Sequence, residues 1–383
     1  MRINFALPGL GGLAGGMRVA AQHACYLHDR GHQVSLIVRR PDLRSWRGHW
    51  LSRLGLKPGF PPLSDLRGHF KDLDVPIVHL NEDRPLRAAD VPDADVIVST
   101  WWTTTEWTAS LPSSKGRHVH LIQDYEDFVP SLSSRISAIY DQDTTKIVVA
   151  GWIRDRLRER HGKDSLVVSN GVDANQFRAD GRKRGEPARI GFLYNGHPRK
   201  NVGLAIAALN RARQQAPDLR GLAFGVKQRP ADLPAWIEYE QKPTQDRIAQ
   251  LYASCDLWLF SSQSEGFGLP LLEAMASGTP VLATCAGAAP DLVDGQNGWL
   301  SDADPKAYAD KILAFLDLSE DAWQAASQAA RHTAERHDLV HSGRAFETAL
   351  LSLVSRGNPK NAVSRPENQK VSNRSGLTFR FRA

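Results

Sequence analysis

Cysteine is scarce in this sequence: only Cys25, Cys255 and Cys285 occur among 383 residues. They lie far apart in apolar or alanine-rich surroundings, so they have neither the close spacing of metal ligands nor the even number of a disulfide framework. We expect small, buried cysteine side chains in a reducing compartment, without a chemical role.

Long apolar runs are missing as well. The sequence has no stretch of about 18 consecutive apolar residues, the length that crosses a membrane as a helix. Its first 16 residues also lack the charged segment and the unbroken apolar core of a secretory signal peptide. These two absences predict a cytoplasmic protein.

A basic excess spread over the whole chain is absent too. The formal net charge is +6, but residues 356–383 alone hold seven Lys or Arg against one acidic residue, Glu367. The rest of the chain is therefore neutral overall, which argues against a surface that attracts nucleic acid. The polar, aperiodic composition of residues 356–383 predicts a disordered basic tail.

What the sequence does contain is an alternation of strand-like and helix-like segments. With 42% hydrophobic residues and this length, it can form two domains. Residues 3–39 have the pattern of a βαβ unit, and a second series of strands and helices starts after a charged linker at 178–189. Further strand patterns of the first series lie at 75–80, 94–100, 117–123 and 146–151. The alternation predicts parallel sheets with helices on both faces.

The segment 265–273, Glu-Gly-Phe-Gly-Leu-Pro-Leu-Leu-Glu, follows a buried-strand pattern and leads into a helix. Pro270 suits the first helical turn, because it lacks an N–H group that this turn leaves unbonded. The pattern places Glu265 in the loop after the strand and Glu273 in the first helical turn, both facing a ligand cleft. Two carboxylates there would accept hydrogen bonds from sugar or ribose hydroxyls. The alternative is a solvated Glu265 and a Glu273 that only complements the helix dipole.

Two adjacent cations, Arg199 and Lys200, lie between a strand-and-turn pattern at 190–198 and a predicted helix. Positive side chains beside the free N–H groups of a helix start would bind a diphosphate and stabilise it as a leaving group. The alternative is an ordinary solvated pair in a polar turn.

In their order along the chain, these motifs resemble those of the retaining GT-B glycosyltransferases of family 4, the glycosyl transferases group 1 superfamily. The resemblance spans about residues 1–350 and includes the paired Glu265 and Glu273. Its other motifs are Gly11-Gly12 with Gly15-Gly16, Ser169–Asp173, Arg199-Lys200-Asn201, and the run SGTPVLAT followed by GQNGWL.

The resemblance implies an α/β protein of the GT-B fold, with two facing Rossmann-like domains and parallel sheets. We therefore expect an N-terminal acceptor domain at 1–175 and a C-terminal nucleotide-sugar-binding domain at 185–334. Helices at about 335–355 are expected to fold back onto the first domain. Residues 356–383 lie beyond both domains.

The resemblance also implies roles for single residues. Glu273 would bind ribose hydroxyls, Glu265 the hydroxyls of the transferred sugar, and Lys200 the diphosphate. The family usually has an arginine a few residues before this lysine, next to a glycine; here Gly196-His197 stands there, so either Arg199 or His197 takes that role. The predicted donor-binding residues are Gly12, Asn170, His197, Phe267, Gly268, Leu269 and Glu273, and the predicted catalytic residues are Asp124, Arg199, Lys200 and Glu265.

Acidic residues cluster in the segment 120–127, at the end of a predicted strand. A carboxylate or histidine there could orient or deprotonate the acceptor hydroxyl, and we assign Asp124 to catalysis and Glu126 to acceptor binding. Residues 123–126, Gln-Asp-Tyr-Glu, resemble a segment of the rhamnan and O-antigen branch of the family, which often includes rhamnosyltransferases. Trp101 and Trp102 follow another strand pattern and are predicted to stack on an acceptor sugar, with buried packing as the alternative.

Residues 43–60 show a different pattern, in which leucines and tryptophans recur at helical spacing between arginines. Such a basic amphipathic helix is typical of proteins that lie on an anionic membrane surface. This segment predicts a peripheral position on the inner face of the plasma membrane. The alternative is a helix that packs on its own domain.

Together these features predict a hexosyltransferase that moves a sugar from a nucleotide-sugar donor to a glycan or lipid-linked acceptor in cell-surface polysaccharide or lipopolysaccharide synthesis. The resemblance implies retention of the anomeric configuration and catalysis without a metal or other cofactor. Two alternatives stay open. A GT-B nucleotide-sugar epimerase would consume its donor without an acceptor, and a non-catalytic nucleotide- or glycan-binding protein would consume nothing.

Overall fold

The computed structural model describes residues 1–9, 15–39, 68–70, 73–80, 86–127 and 130–355. Three of the sequence predictions fall outside these ranges: the donor-binding role of Gly12, the membrane-surface helix at 43–60 and the disordered tail at 356–383.

The first sheet contains seven strands among the described residues, in the order β3-β2-β1-β4-β5-β6-β7. The pairs β1–β2, β2–β3, β1–β4 and β4–β5 are parallel. Near-continuous burial of β1 and β4 fits a parallel sheet that is covered on both faces. The strands are Arg2–Leu7 (β1), Gln33–Arg39 (β2), Ile77–Leu80 (β3), Val96–Ser99 (β4), Arg117–Ile122 (β5), Thr145–Val148 (β6) and Leu166–Val167 (β7), and the helices between them are Gly15–Asp29 (α1), Trp102–Thr108 (α2), Ser133–Asp141 (α3) and Gly151–His161 (α4).

The second sheet contains six strands in the order β10-β9-β8-β11-β12-β13, with every neighbouring pair parallel. Its strands are Arg189–Leu193 (β8), Arg220–Gly225 (β9), Ile237–Gln241 (β10), Leu257–Phe260 (β11), Val281–Ala283 (β12) and Gly298–Leu300 (β13). Its helices are Val202–Gln215 (α5), Gln245–Ala253 (α6), Leu269–Ala276 (α7), Ala289–Leu292 (α8), Pro305–Leu316 (α9) and Glu320–Arg336 (α10), followed by Leu339–Ser355 (α11).

The strand order of the second sheet fixes where a ligand can bind. Strands β9 and β10 continue the sheet on one side of β8, whereas β11 and the later strands continue it on the other. The direction of winding therefore reverses between β8 and β11. In doubly wound sheets this switch point forms the ligand crevice.

The chain divides into two compact units. One consists of the described parts of 1–122 and 130–147 with 343–355, and the other of 123–127 and 148–342. The last helix, α11, packs within the first unit, where Glu347 bonds Arg30 at 3.4 Å and His32 at 2.8 Å. The short segment 123–127 belongs to the second unit.

The cysteines only partly match the expectation of burial. Cys255 is buried and Cys25 is partly buried, but Cys285 is exposed, so the expectation was wrong for that residue. None of the three forms a disulfide bond with another described residue.

Acidification should destabilise the protein between pH 6.5 and 4, because two core histidines fold in the neutral form. Burial lowers the pKa of His23 from 6.5 to about 4 and that of His120 to about 3, and neither ring nitrogen of His120 has a hydrogen-bond partner in the described part of the chain. In this range the unfolded chain binds protons that the folded one excludes, so each histidine lowers the free energy of unfolding by up to about 1.4 kcal/mol per pH unit.

Urea unfolding at pH 7 and 5.5 measures this effect. The variant His120→Leu should lose less stability between the two pH values than the parent does. The matched control is His332→Leu, at an exposed position. An equal loss of stability in all three proteins would contradict the assignment.

Candidate active site

The predicted cations lie on the loop that leaves β8, one of the two strands at the switch point. Arg199 and Lys200 form a short 3-10 turn with Pro198, and α5 begins two residues after Lys200. The Nδ1 atom of His197 accepts the backbone N–H of Arg199 at 3.3 Å, so His197 caps this turn. Asn201 then takes the left-handed conformation, with φ 44°, which redirects the chain into the helix. The two cations therefore stand beside the N-terminus of α5, as the sequence predicted.

Arg199 holds a carboxylate from a distant part of the chain. Its Nη2 atom donates to Asp124 Oδ2 at 2.7 Å and to Ser264 Oγ at 3.0 Å. The other carboxylate oxygen of Asp124 accepts the backbone N–H of Tyr125 at 2.9 Å. Burial raises the pKa of the Asp124 carboxyl above its usual value, while the hydrogen bond and charge of Arg199 act in the opposite direction.

Lys200 forms a second ion pair, with a carboxylate on the loop that leaves β11. Its Nζ atom lies 2.5 Å from Glu265 Oε1, and the hydroxyl of Ser262 donates to the same oxygen at 2.7 Å. Only 12% of the Glu265 side chain is exposed, so the alternative of a solvated glutamate is wrong. The loops from β8 and β11 are also joined by their backbones, because the N–H of Gln263 donates to the carbonyl of Arg199 at 2.8 Å.

Glycines shape the loop between Glu265 and α7. At Gly266 a side chain is excluded, because a Cβ atom would lie 1.8 Å from the carbonyl oxygen of Gln123. Gly268 has φ 99° and would place a Cβ atom 2.6 Å from the ring of Phe260. Pro270 is the second residue of α7, which agrees with its predicted place in the first turn. Each of these two glycines therefore meets a separate steric requirement.

Glu273 lies deeper than the sequence pattern suggested. It is the fifth residue of α7, so it belongs to the second turn and the prediction of the first turn was wrong. The residue is buried, and the hydroxyl of Tyr252 donates to its Oε2 atom at 3.0 Å. A carboxylate buried in this way is held in one orientation, which suits recognition better than simple compensation of a helix dipole.

The structure places the remaining predicted donor residues in the same unit. Phe267 is buried, Gly268 is the N-cap of α7, and Leu269 is its first residue. Asn170 is also buried, and its Oδ1 atom has no hydrogen-bond partner within the residues that the structure describes.

The predicted acceptor residues are in different surroundings. Glu126, the predicted acceptor-binding carboxylate, is buried and only 1% exposed. Trp101 and Trp102 belong to the first unit, at the carboxyl end of β4 and the start of α2, and both are partly exposed. The guanidinium of Arg135 lies 4.9 Å from the ring centre of Trp102, so a cation already covers one face of that ring.

Sequence reasoning missed three side chains that hold the site together. Ser262 and Ser264 lie in the polar run just before Glu265, and this position was a usable signal, since hydroxyl groups there can hydrogen-bond the charged side chains of the site. Tyr252 lies in an amphipathic helix, α6, where nothing in the pattern distinguishes it from a core aromatic residue.

Two features are absent from the described residues. These residues contain no group of three or more His, Cys, Asp or Glu side chains that could hold a metal ion. No helix among them is long and apolar enough to span a bilayer.

Comparison with known proteins places this site in a family context. Residues 187–318 match the family model of the glycosyl transferases group 1. This stretch contains Arg199, Lys200, Glu265 and Glu273, together with the whole second sheet from β8 to β13.

Several curated relatives are glycosyltransferases. The phosphatidyl-myo-inositol mannosyltransferase of Mycolicibacterium smegmatis is 26% identical over 88% of this chain and 89% of its own length. The same enzyme of Mycobacterium tuberculosis is 29% identical over 50% of this chain, and the match spans 56% of that relative's length. A sulfoquinovosyl transferase of Arabidopsis thaliana is 30% identical over 44% of this chain and 36% of its own length. These matches support the prediction of a glycosyltransferase.

Solved structures agree on the fold. Anabaena HepE in complex with UDP and glucose superimposes with a TM-score of 0.68 over 92% of this chain and 100% of its own, at 18% identity. Sucrose-phosphate synthase from Thermosynechococcus elongatus gives a TM-score of 0.70 over 93% of this chain and 100% of its own, at 16% identity. Together with the two parallel sheets, these neighbours confirm the predicted GT-B fold.

Proposed function

We propose that the protein is a retaining glycosyltransferase that transfers a hexosyl group from a nucleotide-sugar donor to a glycan or lipid-linked acceptor in cell-surface polysaccharide or lipopolysaccharide synthesis. The observation that carries the proposal is the position of Arg199 and Lys200 at the start of α5, with Glu265 on the neighbouring loop. Relatives that are named glycosyltransferases, and a structural neighbour that binds UDP and glucose, support the same class.

The proposed reaction depends on stabilising the negative charge of the leaving diphosphate. When the bond between the sugar and the diphosphate breaks, negative charge develops on the leaving phosphate oxygens. Arg199, Lys200 and the N-terminal N–H groups of α5 stabilise that charge, so the proposed reaction relies on protein cations for this step. When a diphosphate binds, it replaces Asp124 as the partner of Arg199 and Glu265 as the partner of Lys200. The freed carboxylates then accept hydrogen bonds from hydroxyl groups of the substrates.

Glu273→Gln should raise the dissociation constant of the nucleoside diphosphate about tenfold or more, because a charge-assisted hydrogen bond to ribose is worth more than a neutral one. Isothermal titration calorimetry measures the change. The matched control is Glu335→Gln, which removes an exposed carboxylate that pairs with Arg331. If both variants bind the nucleotide as the parent does, Glu273 does not contact the ribose.

A panel of donors tests the proposal as a whole. Thermal shift with dTDP-rhamnose, GDP-mannose, UDP-glucose and UDP-N-acetylglucosamine selects the nucleotide sugar, since a ligand that binds the folded state raises the melting temperature. Nucleotide release is then followed with and without glycan acceptors. Release that requires an acceptor supports the transferase, and donor consumption without an acceptor supports an epimerase. No stabilisation and no release would overturn the proposal in favour of a binding protein.

The proposal includes a peripheral position on the inner membrane surface, where a lipid-linked acceptor would lie. It rests on the sequence of residues 43–60, in which arginines alternate with tryptophans and leucines. Co-sedimentation with anionic liposomes at low ionic strength tests this part, and protein that stays in the supernatant would overturn it.

A further inference from the structure

Helix α4 contacts both loops that supply the carboxylates of the two ion pairs. It belongs to the second unit, and Trp152 is its second residue while His161 is its last. These two residues are nine positions apart, which corresponds to about 14 Å along a helix. One rigid element therefore reaches two separate parts of the site.

The first contact is made near the start of α4. The indole N–H of Trp152 donates to the carbonyl oxygen of Gly266 at 2.9 Å, next to Glu265. The start of the helix is itself fixed, because the N–H of Gly151 donates to Asp291 Oδ2 at 2.8 Å. The backbone of Gly266 lies so close to that of Gln123 that no Cβ atom fits between them. Trp152 thus anchors the point where the Glu265 loop touches the 123–127 segment.

The second contact is made at the end of α4. The hydroxyl of Tyr125 lies 2.8 Å from Nε2 of His161, and the ring of Tyr125 is within 5.6 Å of the Arg156 guanidinium and 5.7 Å of that of Arg160. Tyr125 is buried and directly follows Asp124, the carboxylate that pairs with Arg199. Its side chain therefore ties the 123–127 segment to α4.

We propose that Trp152, Tyr125 and His161 are positioning residues, which fix Glu265 and Asp124 through α4. The inference rests on the proposed function for its catalytic consequence, but the anchoring itself is a property of the fold. Displacing either carboxylate changes the partner of Lys200 or Arg199, so turnover should fall more than the affinity for the nucleotide.

Two substitutions that each remove a hydrogen-bond donor but keep an aromatic ring test the anchoring. Trp152→Phe removes the indole N–H and keeps an aromatic ring, and Trp236→Phe is its matched control, since Trp236 Nε1 donates to Asn210 Oδ1 at 3.1 Å in the same unit. Tyr125→Phe removes the hydroxyl, and Tyr239→Phe is its control, since that hydroxyl donates to the carbonyl of Lys227 at 2.7 Å.

Hydrogen exchange of backbone amides is the first readout, because it does not depend on catalysis. Trp152→Phe should speed exchange within 265–269, and Tyr125→Phe should speed it within 123–127, while the two controls leave both segments unchanged. If these segments exchange at the same rate in the test and control variants, the proposal is overturned, whatever the activity of the variants.

Kinetics are the second readout. Trp152→Phe and Tyr125→Phe should lower kcat about five- to tenfold, with the KM of the donor changed less than twofold. His161→Gln, which keeps a hydrogen-bonding group for the tyrosine hydroxyl, should restore most of the turnover that His161→Leu loses. If the parent protein transfers no sugar, only the proposed function is refuted. The hydrogen-exchange data would still decide whether these residues anchor the two segments. A fall in donor affinity that equals the fall in kcat would refute the positioning role.

Discussion

Replacing Lys200 by alanine should lower kcat for glycosyl transfer about 100- to 1,000-fold, the usual effect of removing one group that stabilises charge in a transition state. The ammonium lies 2.5 Å from Glu265 and stands beside the N-terminus of α5, where the leaving diphosphate is proposed to bind. The variant loses this charge and also leaves the largely buried Glu265 carboxylate without its cation. Both losses act on the same step.

Steady-state kinetics with the donor chosen by the thermal-shift panel measure this effect. Lys306→Ala is the matched control, because Lys306 also pairs with a carboxylate, that of Asp310, but the pair is exposed. Lys200→Arg keeps the charge and should retain more activity than the alanine variant. Parental kcat in Lys200→Ala would remove Lys200 from the catalytic machinery.

Replacing Gly266 by alanine should lower kcat about a hundredfold, since a misplacement of about 1 Å in an active site costs that much. The added Cβ atom would lie 1.8 Å from the carbonyl oxygen of Gln123, so the backbone must move. Gly266 does not have a positive φ, so the effect comes from the close approach and not from backbone strain. The displacement moves Glu265 on one side of the contact and Asp124 on the other.

Gly221→Ala is the control for this substitution. Gly221 lies near the start of β9, away from the carboxyl ends of the strands, and its Cβ would lie 2.9 Å from Ile237 Cγ1. Alanine there should lower the melting temperature through crowding but leave kcat unchanged. Crystal structures of the two variants would show whether the loop has moved. An active Gly266→Ala enzyme with an undisplaced loop would mean that the close approach is not required.

Local patterns were enough to predict the elements that carry the site. The pattern of a buried strand, a glycine loop and a helix with an early proline predicted the elements that the structure contains as β11, the 261–268 loop and α7. The same reasoning placed Arg199 and Lys200 at the start of α5. These predictions succeed because hydrophobic periodicity and the conformational limits of proline and glycine act over only a few residues.

Burial was harder to predict than secondary structure. Glu126 and Asp124 are two residues apart in one acidic segment, yet Glu126 is buried at 1% exposure while Asp124 reaches Arg199. Cys285 lies in an alanine-rich stretch, yet it is exposed. Composition describes a segment, whereas burial depends on which other elements pack against it.

The sequence by itself determined the parallel α/β architecture and the series of strands and helices, and it supplied the residue types proposed to meet a diphosphate and a sugar. Only the tertiary structure decided the pairing. Asp124 binds a cation 75 residues away, Lys200 binds a carboxylate 65 residues away, and Trp152 donates to a carbonyl 114 residues away. Such contacts depend on the order of strands in the sheet and on where α4 packs. A local pattern constrains neither, because strand order arises from the burial of whole elements against one another.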